Sequence, residues 1–381
     1  LDELQQRAET RITIAPRDAP PSDAGALEVD RQALVTISGA LEAVEYARVQ
    51  VLVLLDERHG LHTEQAEIEC KLHHVSSGRK RALLQLIEEE TQTSVYLSSP
   101  FAGVLSTAVP AAVVQRRNTV YITGRFYNTQ RARDMIVQLT QTKAKSLVSK
   151  TVTLMPRKID YLLQERLEAL RQLMLDNGTF LELPVIGSQQ GSVTVCGTSR
   201  VDVERSIRTL MQLVSPYYTA HVWLLPGAYD ALGLSSKPDT RALTSIVTAI
   251  SASTGAEAAF QNNHFEIAGL DREVRAALRQ LLAVPSLKHY TYEFRFQLEL
   301  ATDHREFISG KKNGKINKIM EHCGVRIRFE PFNEYNFLID VLGTELDAAL
   351  QGLGLRQEEL PAEMSFHVPE AYHKRIIGVG G

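Results

Sequence analysis

One phrase recurs along this chain: an alternating apolar run, a glycine, then an amphipathic helix. It stands at Val35–Gly39, Val120–Gly124, Val193–Gly197, Phe265–Gly269 and Ile339–Gly343. The five glycines are 85, 73, 72 and 74 positions apart. A period this even is the mark of a chain built from repeated supersecondary units. It excludes a single large core, which 381 residues would overfill in any case.

The fullest unit lies at Glu293–Leu360. Phe294–Leu300 alternates as a strand with one buried face. A short helix follows at Asp303–Ile308, then a lysine-rich turn, Gly310-Lys311-Lys312-Asn313-Gly314. Ile316, Ile319 and Met320 recur at helical spacing, and Gly324 closes that helix. Val325–Phe329 and Tyr335–Leu342 read as strands, and Thr344 caps a last helix through Leu360. The order is β-α-turn-α-β-β-α.

That order, with a glycine turn between two short helices, resembles the KH domain of eukaryotic multi-KH proteins of the vigilin and bicaudal-C type. The final segment, Glu363–Gly381, resembles the first strand, first helix and GxxG loop of another KH unit, and Ile376-Ile377-Gly378-Val379-Gly380-Gly381 matches that motif in full. Counting back from Ile316 and Ile319 places the fifth unit's loop at Gly310–Asn313, so Asn313 stands where the second glycine belongs. The resemblance implies an α+β tandem array of type I KH-like units, each a three-stranded antiparallel sheet packed on helices. The expected divisions are 1–59, 60–145, 146–217, 218–286, 287–361 and 362–381.

The other units are degenerate. The first lacks its front and reads as a helix at Leu1–Thr10, strands at Arg11–Ile14 and Ala33–Gly39, and a helix at Leu41–Asp56. The second opens with a strand expected at Ala66–Leu72, and carries Gly78-Arg79-Lys80-Arg81, with Arg81 in place of the last glycine. Its basic triad reads best as a solvated helix start. In the third, Tyr161–Asp176 runs on with helical periodicity and no glycine, so the two family helices have either merged or kept a glycine-free corner. Its stripe of Leu162, Leu163, Leu167, Leu170 and Leu173 reads as core packing or as a helix face for a neighbouring unit. The fourth has a Pro/Ser/Gly connector at Gly227–Asp239 where a loop would be. Neither the third nor the fourth is expected to grip RNA. The half unit at the front and the strand-like Met364, Phe366 and Val368 at the end raise one more expectation, that the tail docks on residues 1–56; the plainer reading is that two ordinary KH domains are cut.

In a KH domain the GxxG loop clamps a nucleic-acid backbone. Glycine gives the clearance for close approach, and the following helix start offers N–H groups and a favourable dipole for a phosphate. The resemblance thus implies RNA contact at Gly310, Lys311, Lys312, Asn313, Gly314, Lys315, Ile316 and Lys318, with Arg326 and Arg328 on the next strand. It implies a second site at Lys374, Arg375, Gly378, Val379, Gly380 and Gly381. The plainer readings are a solvated lysine turn and a glycine tail. Single-stranded mRNA is the expected partner, in post-transcriptional regulation, with proteins as further partners of the degenerate units. An interaction scaffold is the competing reading.

Composition narrows this. A net charge of −3 rules out a uniformly basic surface, so RNA contact must be local. Cys70, Cys196 and Cys323 are far apart with no CxxC pair, which suits a reducing compartment and a cytoplasmic location and argues against zinc. His59, His62, His73 and His74 have no Cys or carboxylate set to complete a metal site. No Gly-Lys-Ser/Thr follows the lysine turn, and no catalytic pattern stands out, so neither a cofactor nor a chemical step is expected. No apolar run is long enough to cross a membrane.

Overall fold

The computed structural model describes residues 1–16, 33–105, 116–225, 240–262, 264–288 and 290–358, with Tyr372, Arg375 and Gly378 beyond them. It divides into two compact blocks, Leu1–Pro216 and Tyr217–Gly381.

The first block holds three units. The first unit is α1 (Asp2–Ala8), β1 (Arg11–Pro16), β2 (Ala33–Ser38) and α2 (Leu41–Arg58). Its sheet has two antiparallel strands, Ile12 opposite Ile37. The second unit is β3 (His62–Glu67), α3 (Cys70–Ser77), α4 (Ala82–Thr91), β4 (Ser94–Tyr96), β5 (Thr119–Gly124) and α5 (Phe126–Lys145). The third is β6 (Val148–Thr153), α6 (Pro156–Glu165), α7 (Leu167–Asn177), β7 (Phe180–Glu182), β8 (Ser192–Gly197) and α8 (Arg200–Val214). In both complete sheets the last strand is central, giving β3-β5-β4 and β6-β8-β7.

The periodic glycine has a steric reason. A Cβ on Gly39, Gly124 or Gly197 would lie 3.0, 2.9 or 3.0 Å from the methyl of Thr10, Thr93 or Thr179 respectively. In each unit that threonine stands just before the second strand, so the third strand must pass it without a side chain.

Two expectations are resolved here. The second unit opens four residues earlier than Ala66. His62–Glu67 is the strand, paired antiparallel with β5, while Cys70–Leu72 is already helical, the Cys70 N–H held by Asn118 Oδ1 at 3.0 Å. The strand was hidden because His62-Thr63-Glu64-Gln65 is polar, as an edge strand can be. In the third unit the helices have not merged. Arg166 at φ −126°, ψ 23° makes a glycine-free corner between α6 and α7. Leu162, Leu163, Leu170 and Leu173 are buried, while Leu167, at the start of α7 beside the corner, is half-buried.

The second block is β9 (Tyr217–Leu225), α9 (Thr240–Thr254), β10 (Glu257–Gln261), β11 (His264–Leu270) and α10 (Asp271–Ala283), then β12 (Thr291–Ala301), α11 (Arg305–Ser309), α12 (Gly314–Cys323), β13 (Arg326–Pro331), β14 (Asn336–Gly343) and α13 (Leu346–Glu358). Where two three-stranded sheets were expected, the first strands of the fourth and fifth units pair antiparallel, Val222 opposite Phe294. The result is one six-stranded sheet, β10-β11-β9-β12-β14-β13. Directly opposed residues share a face. Val222, Phe294, Ala220 and Phe296 therefore bury into a single core beneath the helices of both units.

The connector at Gly227–Asp239 and the tail strand Met364–Val368 lie outside the described residues, and with the tail goes its docking on residues 1–56.

Candidate nucleic-acid interface

The fifth unit's loop is set by two buried anchors, Ile308 on α11 and Ile316 on α12. Between the two helices the chain must reverse in four residues, 310–313. Gly310 adopts φ 69°, ψ 178°, a region open essentially to glycine alone. A Cβ there would also lie 2.7 Å from Lys315 Cγ. Lys312 follows at φ 53°, ψ 37° and Asn313 at φ 59°, ψ 21°, both left-handed. Asparagine is among the side chains that tolerate this conformation, which is how Asn313 replaces the second glycine. The Asn313 N–H closes the turn on the Gly310 carbonyl at 3.1 Å.

Lys311, Lys312 and Asn313 are exposed at the tip, and α12 begins immediately at Gly314. Asn313 forms no side-chain cap, so its side chain does not compete for the N–H groups of the first turn. Positive partial charge at a helix start, two exposed ammonium groups and a backbone without Cβ at Gly310 together make an anion cradle. Lys318 is exposed one turn along α12. Lys315 lies over the Phe307 ring, Nζ 4.4 Å from its centroid.

Phe307 was missed in the sequence. It is half exposed, three residues before Gly310, and the structure sets it beside the lysines. The available signal was an aromatic residue next to, rather than on, the buried position Ile308. Arg305 similarly lies 5.8 Å from the Phe329 ring centroid.

Three expected contacts are corrected. Ile316 is 2% exposed, so it anchors α12 from within the core and offers no surface to a ligand. Arg326 and Arg328 alternate with Ile327, which packs in the core under the helices. They therefore stand on the opposite face of the sheet from the loop, Arg326 at 3.7 Å from Glu293. In the tail, Arg375 and Gly378 are exposed, Gly378 at φ 81°. Lys374, Val379, Gly380 and Gly381 lie outside the described residues.

The second unit repeats the loop's backbone almost angle for angle. Gly78 is at φ 71°, ψ −179°, Lys80 at φ 52°, ψ 28° and Arg81 at φ 62°, ψ 17°. The Arg81 N–H closes on the Gly78 carbonyl at 3.1 Å. Arg81, however, turns its guanidinium inward, to Glu88 Oε1 at 2.8 Å and the Val95 carbonyl at 2.5 Å. His73 is buried, one ring nitrogen 2.9 Å from the Ile68 carbonyl, and burial lowers its pKa. His74 is held down at about 4 by burial, with the charges of His73, Arg171 and Arg81 adding to the effect. Among the described residues no group of His, Cys, Asp and Glu is placed to hold a metal ion, and no helix is long and apolar enough to cross a membrane.

A helix-turn-helix with left-handed turn residues, seated on a sheet whose last strand is central, is the KH arrangement, and the comparisons agree along the chain. The family described as "KHD4 first KH domain" matches residues 1–56, "KHD4 second KH domain" residues 60–146, "Mug60/KHD4 KH type I domain" residues 149–218 and "YLL032C fifth KH domain-like" residues 289–352. The chain is thus a tandem array of KH domains, a multi-KH protein similar to vigilin.

Among relatives, K homology domain-containing protein 4 of Mycosarcoma maydis is 50% identical over the whole of this chain, which spans 28% of that protein. Meiotically up-regulated gene 60 protein of Schizosaccharomyces pombe is 23% identical over 89% of the chain and 59% of its own length. Human vigilin is 21% identical over the whole chain, again across 28% of its length.

Proposed function

We propose that this chain binds single-stranded RNA through Gly310–Lys315, with Lys311 and Lys312 on the phosphates. The carrying observation is the loop's geometry: a Gly-only backbone at Gly310 leading into an α12 start with no side-chain cap, between exposed lysines. KH modules use this element to hold a nucleic-acid backbone, while bases are read along the adjoining groove. Phe307 adds an aromatic surface on which a base could stack. The role that fits is post-transcriptional regulation of mRNA in the cytoplasm, through stability, translation or localisation, with no chemical step. Several weak sites on a longer protein would gain affinity from effective concentration.

The test is a titration of the whole chain against short single-stranded RNA over a series of salt concentrations. Binding that weakens linearly in log salt and prefers single strands over duplex supports the reading; no affinity at low salt ends it. A scaffold role for the degenerate units is the second reading, favoured by what covers the second unit's loop.

A further inference from the structure

We infer that the second unit's loop, Gly78–Arg81, is a joint between domains, and that its ligand is the C-terminal end of α7 in the third unit. Gly178, the left-handed residue that ends α7 at φ 61°, faces the peptide between Gly78 and Arg79. A Cβ on Gly178 would lie 2.8 Å from Arg79 N and 2.8 Å from Gly78 C. The approach is backbone to backbone, glycine against glycine. The clearance that would admit a phosphate at this loop admits a neighbouring polypeptide instead.

Other contacts fix the same arrangement. Arg79 Nε donates to the Asp176 carbonyl at 3.3 Å, one of the helix-end carbonyls left without an intrahelical partner. Helix α3 packs against β7, and Arg81 is turned inward, away from any ligand. A second tie lies in the loop between β4 and β5. The buried Glu42 carboxylate of the first unit accepts the Gly103 N–H at 3.0 Å and the Leu105 N–H at 2.7 Å. The Ile186 N–H of the third unit donates to the Val104 carbonyl at 2.9 Å. Arg171 on α7 pairs with Glu45 and lies over the buried Phe101 ring at 5.4 Å. The second unit is thus held by both neighbours, and its loop peptide is already occupied.

Hydrogen exchange on the whole chain tests this without RNA. Gly178→Ala and Gly187→Ala each place a side chain at positive φ, but a Cβ at Gly187 (φ 74°) meets nothing within 4 Å. We expect amides at 78–83 to exchange at least about tenfold faster in Gly178→Ala than in Gly187→Ala. Equal rates would overturn the joint. Should Gly178→Ala not fold, Gly178→Asn against Gly187→Asn repeats the comparison with a residue that accepts left-handed backbone. In the RNA titration, Arg79→Glu with Lys80→Glu should leave affinity within about twofold, and a tenfold loss would show the loop to be an RNA contact after all. Failure of the chain to bind RNA would end the proposed function yet leave the exchange comparison readable.

Discussion

Gly78–Arg81 and Gly310–Asn313 share a backbone and differ in what surrounds it. Each begins with a glycine near φ 70° and extended ψ, and each ends on a left-handed residue with a Cβ. In the second unit that residue is an arginine whose charge is spent on Glu88 and the Val95 carbonyl, while the loop peptide faces Gly178. In the fifth it is an asparagine, and the lysines beside it are exposed. A left-handed turn is therefore a general device for close backbone approach. Whether the approaching backbone is nucleic acid or protein is decided by the neighbours, not by the turn.

The largest effect should come from charge reversal at the open loop. Lys311→Asp with Lys312→Asp should weaken RNA binding about 100-fold, about 2.7 kcal/mol. It should also flatten the salt slope by about 1.4, at about 0.7 per lost single-strand contact. Filter binding across salt checks both. A folded double mutant with unchanged affinity and slope would mean that the two loops do not differ in function.

Acid should next distinguish the occupied loop. His74 is held near 4 in the folded block against about 6.5 unfolded. Below pH 6.5 the unfolded chain takes up this proton and the folded one does not. Stability is therefore full above that pH and falls towards pH 4, by about 2 kcal/mol once partial exposure is discounted. Denaturant melts of the chain at pH 7 and pH 4.5 should show the first block losing stability, and His74→Gln should blunt that loss; an unaltered pH dependence counts against a buried neutral His74.

Restoring the second glycine should then separate the loops. Arg81→Gly relieves left-handed strain but removes the bonds to Glu88 and Val95, for a net loss of about 1 kcal/mol. Asn313→Gly removes a residue that has no capping bond, so its stability should shift by no more than about 0.5 kcal/mol with RNA binding kept. Thermal melts settle the pair; similar losses at both positions would erase the distinction drawn here.

Much of this was legible in order along the chain. The glycine period survives because each copy is crowded at that position: Gly39, Gly124 and Gly197 clear a threonine methyl, Gly269 clears Glu273, and Gly343 clears Ala349. Counting from Ile316 and Ile319 placed Asn313 at the turn position it occupies, because buried anchors at helical spacing fix what lies between them. What could not be read was the neighbourhood. The contact of Gly178 with Gly78 joins residues 100 positions apart, and neither glycine signals the other. The resemblance implies RNA contact at Arg326 and Arg328 on the strand after the loop, yet strand alternation turns them to the far face once Ile327 is seen to be buried. Phe307 was passed over because an exposed aromatic on a short helix carries no periodicity.

The pairing of β9 with β12 bears on how the second block comes apart. Separating the fourth unit from the fifth would strip a row of ladder bonds from both first strands and open a core that runs continuously from Phe265 to Ile339. Neither half can melt without exposing the other. A calorimeter should register these two sequence repeats as one transition, with an enthalpy set by their combined length rather than by one repeat. Ligand held at Gly310–Asn313 would then raise the melting temperature of the fourth unit too, although none of its own residues need touch it.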